Sequence, residues 1–491
     1  MNRHTLCTVV LVLAAAVAGA ATIPDRPEKL VFSDLQFEVP DAEAMRFELA
    51  NGTPVYARAD RALPLVNVAV YFRGGRYLEP ADKAGLTTIT SDAWRTGGAG
   101  DLSAQELDEE LDFLAASVST RIGDTTGSVS LNVMSKDLER AMALLMDLLT
   151  RPSFQEDRFA KAKDDMLQDM KTRNDDTARI EQREWQRLVH GDDFWLNRLA
   201  TRTSVDSITR EDSAAFVARL VRSGNLVVAV AGDFEHAAMM ALLEKTLGAL
   251  PALEAPLPEP PQPSHTPKAG VYMVNKPDVN QGRIRIGHVG FKLGHPQEFA
   301  LRVGNDILGG GGFTARLMKK IRSDEGLTYG AYSSMPFPTD LPGIFSAASF
   351  QTKSSTCAYG ARLAFDLIRG MLAEPVSAEE LEVSKVSFIE PFPRSFESAA
   401  QTAGLYAQDE LLGRSHDYWK TYRDNIRAVD AQAIQQAFVD NVRPDEMLVL
   451  VIGNLEEILA GHPDHPDRMA DFGEQVRVPL RDPMTLEPLE N

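Results

Sequence analysis

The chain has 491 residues, 44% hydrophobic and 25% charged, with a formal net charge of −19. That length exceeds what one ordinary core serves, so two or more domains are expected. The acidic balance, with no basic stripe, argues against nucleic acid and fits a solvated acidic surface or a preference for cationic peptides.

Residues 1–21 read as a signal peptide. Arg3 supplies the positive start, Leu6 to Val17 the apolar run, and Ala18-Gly19-Ala20 the small-residue cleavage site. The apolar run is too short for a good membrane span, so no span is expected in the mature chain. Cys7 leaves with this segment, and Cys357 remains alone, so no intrachain disulfide can form. Export without disulfides points to the periplasm of a Gram-negative bacterium.

Beyond an extended lead-in, Asn51-Gly52 marks a hairpin turn and Val55 to Phe72 alternates as strands. Ala84 to Trp94 reads as a helix. Val129, Leu131 and Val133 alternate as a strand. Leu138 to Leu149 forms an amphipathic helix, and Phe154 to Arg173 a charged one. Leu226 to Ala231 is a continuous apolar strand ended by Gly232-Asp233. Residues 250–268 are rich in proline and read as a semi-rigid linker.

The second half then repeats the first at a nearly constant spacing of about 220 residues. Val55-Tyr56 corresponds to Val271-Tyr272, Phe216-Val217 to Phe438-Val439, and Val228 to Asp233 to Val449 to Asn454. Each repeat runs strands, helix, strands, helices, strand, which predicts an α+β fold with helices on one face of each sheet.

Within the second repeat, Leu308 to Gly312 ends an apolar helical run in four glycines. Phe313, Leu317 and Ile321 recur at helical spacing, Gly326 stops the short helix, and a strand-like run carrying Tyr329 follows. Spacing alone leaves two readings of Arg322 and Tyr329. They are a solvated helix-end cation and a half-buried strand residue, or two donors converging on a carbonyl oxygen.

This stretch resembles the signature of the insulinase/pitrilysin-like zinc metallopeptidases, which include the processing peptidases. The points of resemblance are Leu308 to Gly311, Ala315-Arg316-Leu317, Ile321-Arg322 and Gly326-Leu327-Thr328-Tyr329. The resemblance implies two homologous domains, 22–249 and 269–480, closing as a clam shell around a peptide cavity, with 481–491 as a tail. It also implies that Arg322 and Tyr329 reach a peptide held at zinc, while Arg316 orders the glycine-rich turn.

The family's metal motif is His-x-x-Glu-His on a helix following a Gly-Leu pair, in which two His one turn apart bind zinc and the Glu activates water. After Gly85-Leu86, its two His positions fall on Thr88 and Asp92, and its Glu falls on Ser91. The third ligand maps to Asp169, with 76 residues between it and Asp92 (169 − 92 − 1). The frame survives without the ligands, and no metal or other cofactor is expected in this chain. Asp92 and Asp169 line a cavity or, as the other reading, hold a hard cation.

The resemblance therefore implies a non-catalytic subunit of a heterodimeric zinc metallopeptidase. Its partner would be a homologous subunit with His-x-x-Glu-His and zinc, and its substrate an extended peptide. The alternative is a non-enzymatic peptide-binding or assembly protein built on an inactivated peptidase fold.

Overall fold

The computed structural model describes residues 36–489 together with Arg26 and Leu30. The expected signal peptide lies outside the described residues. Contacts divide the chain into Met1–Glu38 and Val39–Asn491, and every strand and helix named below belongs to the second unit.

Two six-stranded sheets carry the fold. The first contains β1 (Arg46–Glu48), β2 (Pro54–Ala59), β3 (Leu65–Arg73), β4 (Ser117–Ile122), β5 (Thr126–Met134) and β6 (Leu226–Gly232), in the order β1-β2-β6-β3-β5-β4. The second contains β7 (Gly270–Asn275), β8 (Gln281–Val289), β9 (Ala331–Ser334), β10 (Ile344–Lys353), β11 (Leu448–Gly453) and β12 (Gln475–Val478), in the order β12-β7-β11-β8-β10-β9. Inward of the outer strand the orders coincide, β2-β6-β3-β5-β4 with β7-β11-β8-β10-β9, as the internal repeat requires. The outer strand breaks the match: β1 runs antiparallel to β2, whereas β12 runs parallel to β7.

Alternation explains the central strands. Val66, Val68, Val70 and Phe72 of β3 are buried and face helical side chains such as Leu145 and Leu148. Val68 lies opposite Leu131 on one side and Val230 on the other. The helices Leu86–Thr96, Leu138–Thr150 and Glu156–Lys171 occupy the stretches where 3.6-residue periodicity predicts them.

The strands β6 and β11 do not alternate; every residue of each is buried. Such a run needs cover on both faces of its sheet. The cover for the second face comes from the opposite half. The helix Thr177–His190 of the first half lies on β8 and β11, and the helix Ala399–Leu412 of the second half lies on β2, β3 and β6. Helices on one face therefore describe what each half supplies to its own sheet, and one exchanged helix completes the other face.

Ile180, Trp185 and Val189 pack there with Val274, Leu448, Leu450 and Ile452. Burying each such side chain contributes about 1.5–3 kcal/mol. Polar contacts fix the register of the exchange. Arg283 donates to Glu181 at 3.2 Å, and Arg58 donates to Thr402 at 2.6 Å.

Candidate functional site

The helix Leu86–Thr96 starts where Gly85 takes φ +104°, a left-handed conformation that suits glycine. Glu79 accepts hydrogen bonds from the backbone N–H of Thr87 at 2.6 Å and of Gly85 at 3.3 Å. These bonds satisfy otherwise orphaned donors at the helix start. Burial pushes the Glu79 carboxyl above its usual range, and those same bonds partly restrain it.

One face of this helix opens on a cavity of about 520 Å³. Thr88, Asp92 and Asp169 all line it, so three of the four degenerate metal positions are brought to one place. Ser91 points elsewhere. Its Oγ accepts from the Ile122 N–H at 3.2 Å, and its carbonyl accepts from Thr120 at 3.0 Å, tying the helix to edge strand β4.

The acidic wall is larger than the motif positions alone. Asp165, one helical turn before Asp169, lines the same cavity. Asp92 is open to water in a concave wall. The surrounding protein first, and Asp165 second, raise its carboxyl above the ordinary range. The family motif does not mark Asp165 or Glu79; the sequence signal for Asp165 is its i, i+4 spacing from Asp169 on a charged helix.

These residues do not fit a zinc ion. Asp169 is engaged by Arg179, whose Nη1 donates to Oδ1 at 2.8 Å. Thr88 is exposed and offers only a hydroxyl. Among the described residues, no group of three His, Cys, Asp or Glu could hold a metal ion. Cys357 is buried, and burial pushes its thiol up to about 12, far from a reactive thiolate.

The glycine-rich stretch is more irregular than its spacing predicts. The helix Glu298–Asn305 runs on as a π-helical turn, Asp306–Gly310. A Cβ on Gly309 would lie 2.5 Å from the Ser333 backbone nitrogen, so the close approach of β9 requires glycine. Gly312 at φ +66° reverses the chain. Phe313 consequently leaves the expected helix face and is 70% exposed, while Leu317 and Ile321 are buried.

Arg322 sits on the π-helical turn Met318–Asp324, which ends at Gly326 with φ +64°. Tyr329 lies before β9 rather than within a strand, because Thr328 Oγ1 and Gly330 bond to each other around it. Arg322 and Tyr329 nonetheless meet. The guanidinium carbon is 5.9 Å from the Tyr329 ring centre and 4.9 Å from that of Phe313. Tyr329 is 91% exposed. Neither residue lines the cavity of Thr88, Asp92 and Asp169, whose wall comes wholly from residues 76–200. Arg316 forms a two-pronged pair with Glu380, Nε to Oε1 at 2.7 Å and Nη2 to Oε2 at 2.9 Å, and so anchors the motif to the helix Ala378–Ile389.

A two-sheet α+β chain with this site belongs to the two-domain peptidase folds. The sequence model described as insulinase (peptidase family M16) matches residues 55–203, and that described as peptidase M16 inactive domain matches residues 207–387. The chain belongs to this family. A Helicobacter pylori protein described as a non-peptidase homolog, YmxG, is 23% identical over 403 residues, covering 82% of this chain and 92% of its own. The solved peptidase M16 inactive domain from Pseudomonas fluorescens superposes with a TM-score of 0.73 at 23% identity, covering 83% of this chain and 97% of its own. The periplasmic protease PqqL from Escherichia coli gives a TM-score of 0.73 at 16% identity; the match spans 86% of this chain and 47% of that one.

Proposed function

We propose that this chain is the non-catalytic subunit of a heterodimeric insulinase-like peptidase. The observation that carries the reading is half-buried Arg322 between the exposed rings of Phe313 and Tyr329, set apart from the chain's own degenerate cavity. Donors that do not line their own chain's degenerate cavity fit a role at a site in another. The partner is a homologue that retains His-x-x-Glu-His and supplies the zinc. Arg322 and Tyr329 bind the peptide carbonyl and stabilise the oxyanion there. Losing one such donor costs roughly 3 kcal/mol of barrier, about a hundredfold in rate.

In this reading 22–249 and 269–480 act as the two lobes, with 250–268 as their linker. Ile122 of edge strand β4 lines the degenerate cavity, which supports strand addition as the mode of holding an extended peptide. Export to the periplasm belongs to the same proposal. Among the described residues, no helix is long and apolar enough to cross a membrane.

The test is peptidase activity of this chain, of the partner, and of their mixture. Activity confined to the mixture, and lost with Arg322→Ala or Tyr329→Phe, is the expected result. Full activity of the partner alone would sink the division of labour. The second reading, a peptide-binding or assembly protein without any peptidase role, draws support from the relative described as a non-peptidase homolog.

A further inference from the structure

Beside the degenerate cavity lies a second one, of about 500 Å³, walled by Arg76, Arg173, Arg179, Arg183 and Arg187. Three of these stand at i, i+4 and i+8 on the exchanged helix Thr177–His190. The helix buries Ile180, Trp185 and Val189 against the second sheet and turns its arginine stripe to the cavity. Like charges one turn apart repel and weaken a helix. The stripe occurs in a chain of net charge −19, where cations are in the minority.

Arg179 is paired with Asp169 at 2.8 Å and Arg187 with Asp192 at 2.5 Å, whereas the other three guanidinium groups are only partly satisfied from within. Arg183 is 8% exposed; its Nε donates to Glu184 and its Nη1 to Asn174, but among the described residues its buried Nη2 has no hydrogen-bond partner. Among the described residues, Arg173 donates to the carbonyls of Ala200 and Pro483. Burial, then the neighbouring Arg183, pulls Arg173 down to about 10, and the charge of Asp169 offsets them only in part. Arg76 bonds the Arg198 carbonyl at 3.0 Å and comes no closer than 3.8 Å to Asp124.

We propose that this cavity receives the acidic side chains of an extended peptide, and so gives the chain a preference for glutamate- and aspartate-bearing segments. The inference rests on the peptide-binding reading of the chain. A guanidinium fork matches a carboxylate in two parallel hydrogen bonds. The cavity shares Arg76, Asp124, Arg173 and Leu199 with the one containing Thr88, Asp92 and Asp169. A side chain projecting from a peptide in that groove therefore reaches the arginines. Asp92 and Asp165 of the adjoining cavity repel the same side chain, so the groove has a polarity that a lone small anion does not need. The acidic balance of the whole chain is locally reversed here.

The experiment is fluorescence anisotropy of the full chain with three labelled ten-residue peptides, alternating Ala with Glu, Gln or Lys. The Glu peptide is expected to bind at least about tenfold tighter than the Gln peptide, with Lys weakest. Arg76→Gln with Arg179→Gln should collapse that preference. Their side chains are 26% and 48% exposed, so the fold survives, as a melting curve would verify. Equal binding of the Glu and Gln peptides would overturn the acidic preference and leave the peptide reading standing. If no peptide binds, but inorganic phosphate raises the melting temperature of wild type and not of the variant, the cavity holds a small anion and both readings fall.

Discussion

Tyr56 of the first sheet donates a hydrogen bond to Glu410 of the second half's exchanged helix, O–H to Oε2 at 2.5 Å. Arg46 grips the same carboxylate with Nε at 2.9 Å and Nη2 at 2.7 Å, and His416 lies 2.8 Å from the phenol oxygen. This half-buried network joins residues more than 350 positions apart in sequence. Tyr56→Phe should therefore lower stability by about 1.5–3 kcal/mol, the usual worth of a hydrogen bond to a charged group. Urea unfolding followed by tryptophan fluorescence measures it; an unchanged midpoint would mean the network does not hold the halves.

Glu380 supplies a pH test. Its hydrogen bond from Arg316 is the largest influence, and the carboxyl is held down to about 2 despite partial burial. Unfolded, a glutamate titrates near ~4.3. The folded state thus gains stability that is complete above ~4.3 and is lost as the pH falls towards 2. A Glu380→Gln variant should melt below wild type at neutral pH, and the gap should close as acid is added. A gap that persists at low pH would place its cause elsewhere.

Gly309→Ala tests the packing of the motif. Its new methyl would meet backbone at Ser333, which has no flexible end to move aside. A loss of roughly 1–3 kcal/mol is expected, as for other overpacked sites. By contrast, Arg322→Ala and Tyr329→Phe should leave stability almost unaltered, within about 0.5 kcal/mol, because Tyr329 is exposed and half-buried Arg322 lies against the exposed rings of Phe313 and Tyr329. A large drop in either would assign the pair to the scaffold.

Rebuilding the metal motif tests whether the frame is intact. Thr88→His with Ser91→Glu, Asp92→His and Asp169→Glu should make the chain take up one zinc, read by atomic emission after dialysis. The single helix Leu86–Thr96 already sets positions 88 and 92 one turn apart, and 169 lines the same cavity. Failure to bind would show that Arg179 or the β4 tether has reshaped the site.

The alternation of Val129, Leu131 and Val133 and the apolar run from Leu226 announce their strands directly, because burial on one face or two leaves a readable period. The grouping of Thr88, Asp92 and Asp169 is legible as a frame. The strand expected at Tyr329 begins instead at Ala331, since a local side-chain bond from Thr328 outweighs strand propensity. The exchanged helices are not legible at all. Periodicity in Ile180, Trp185 and Val189 reveals an apolar face, but a period carries no information about which of two similar sheets that face will cover. The arginine stripe escapes the sequence for a related reason: a charged helix face looks solvated until the fold turns it inward.

The reciprocal loan of helices has a consequence for any dissection of the chain. Cut at the proline-rich segment, each fragment would be born with a bare oily plane and a helix that has nowhere to dock. Neither piece can be a faithful miniature of the whole, and denaturation should proceed as one concerted collapse rather than lobe by lobe.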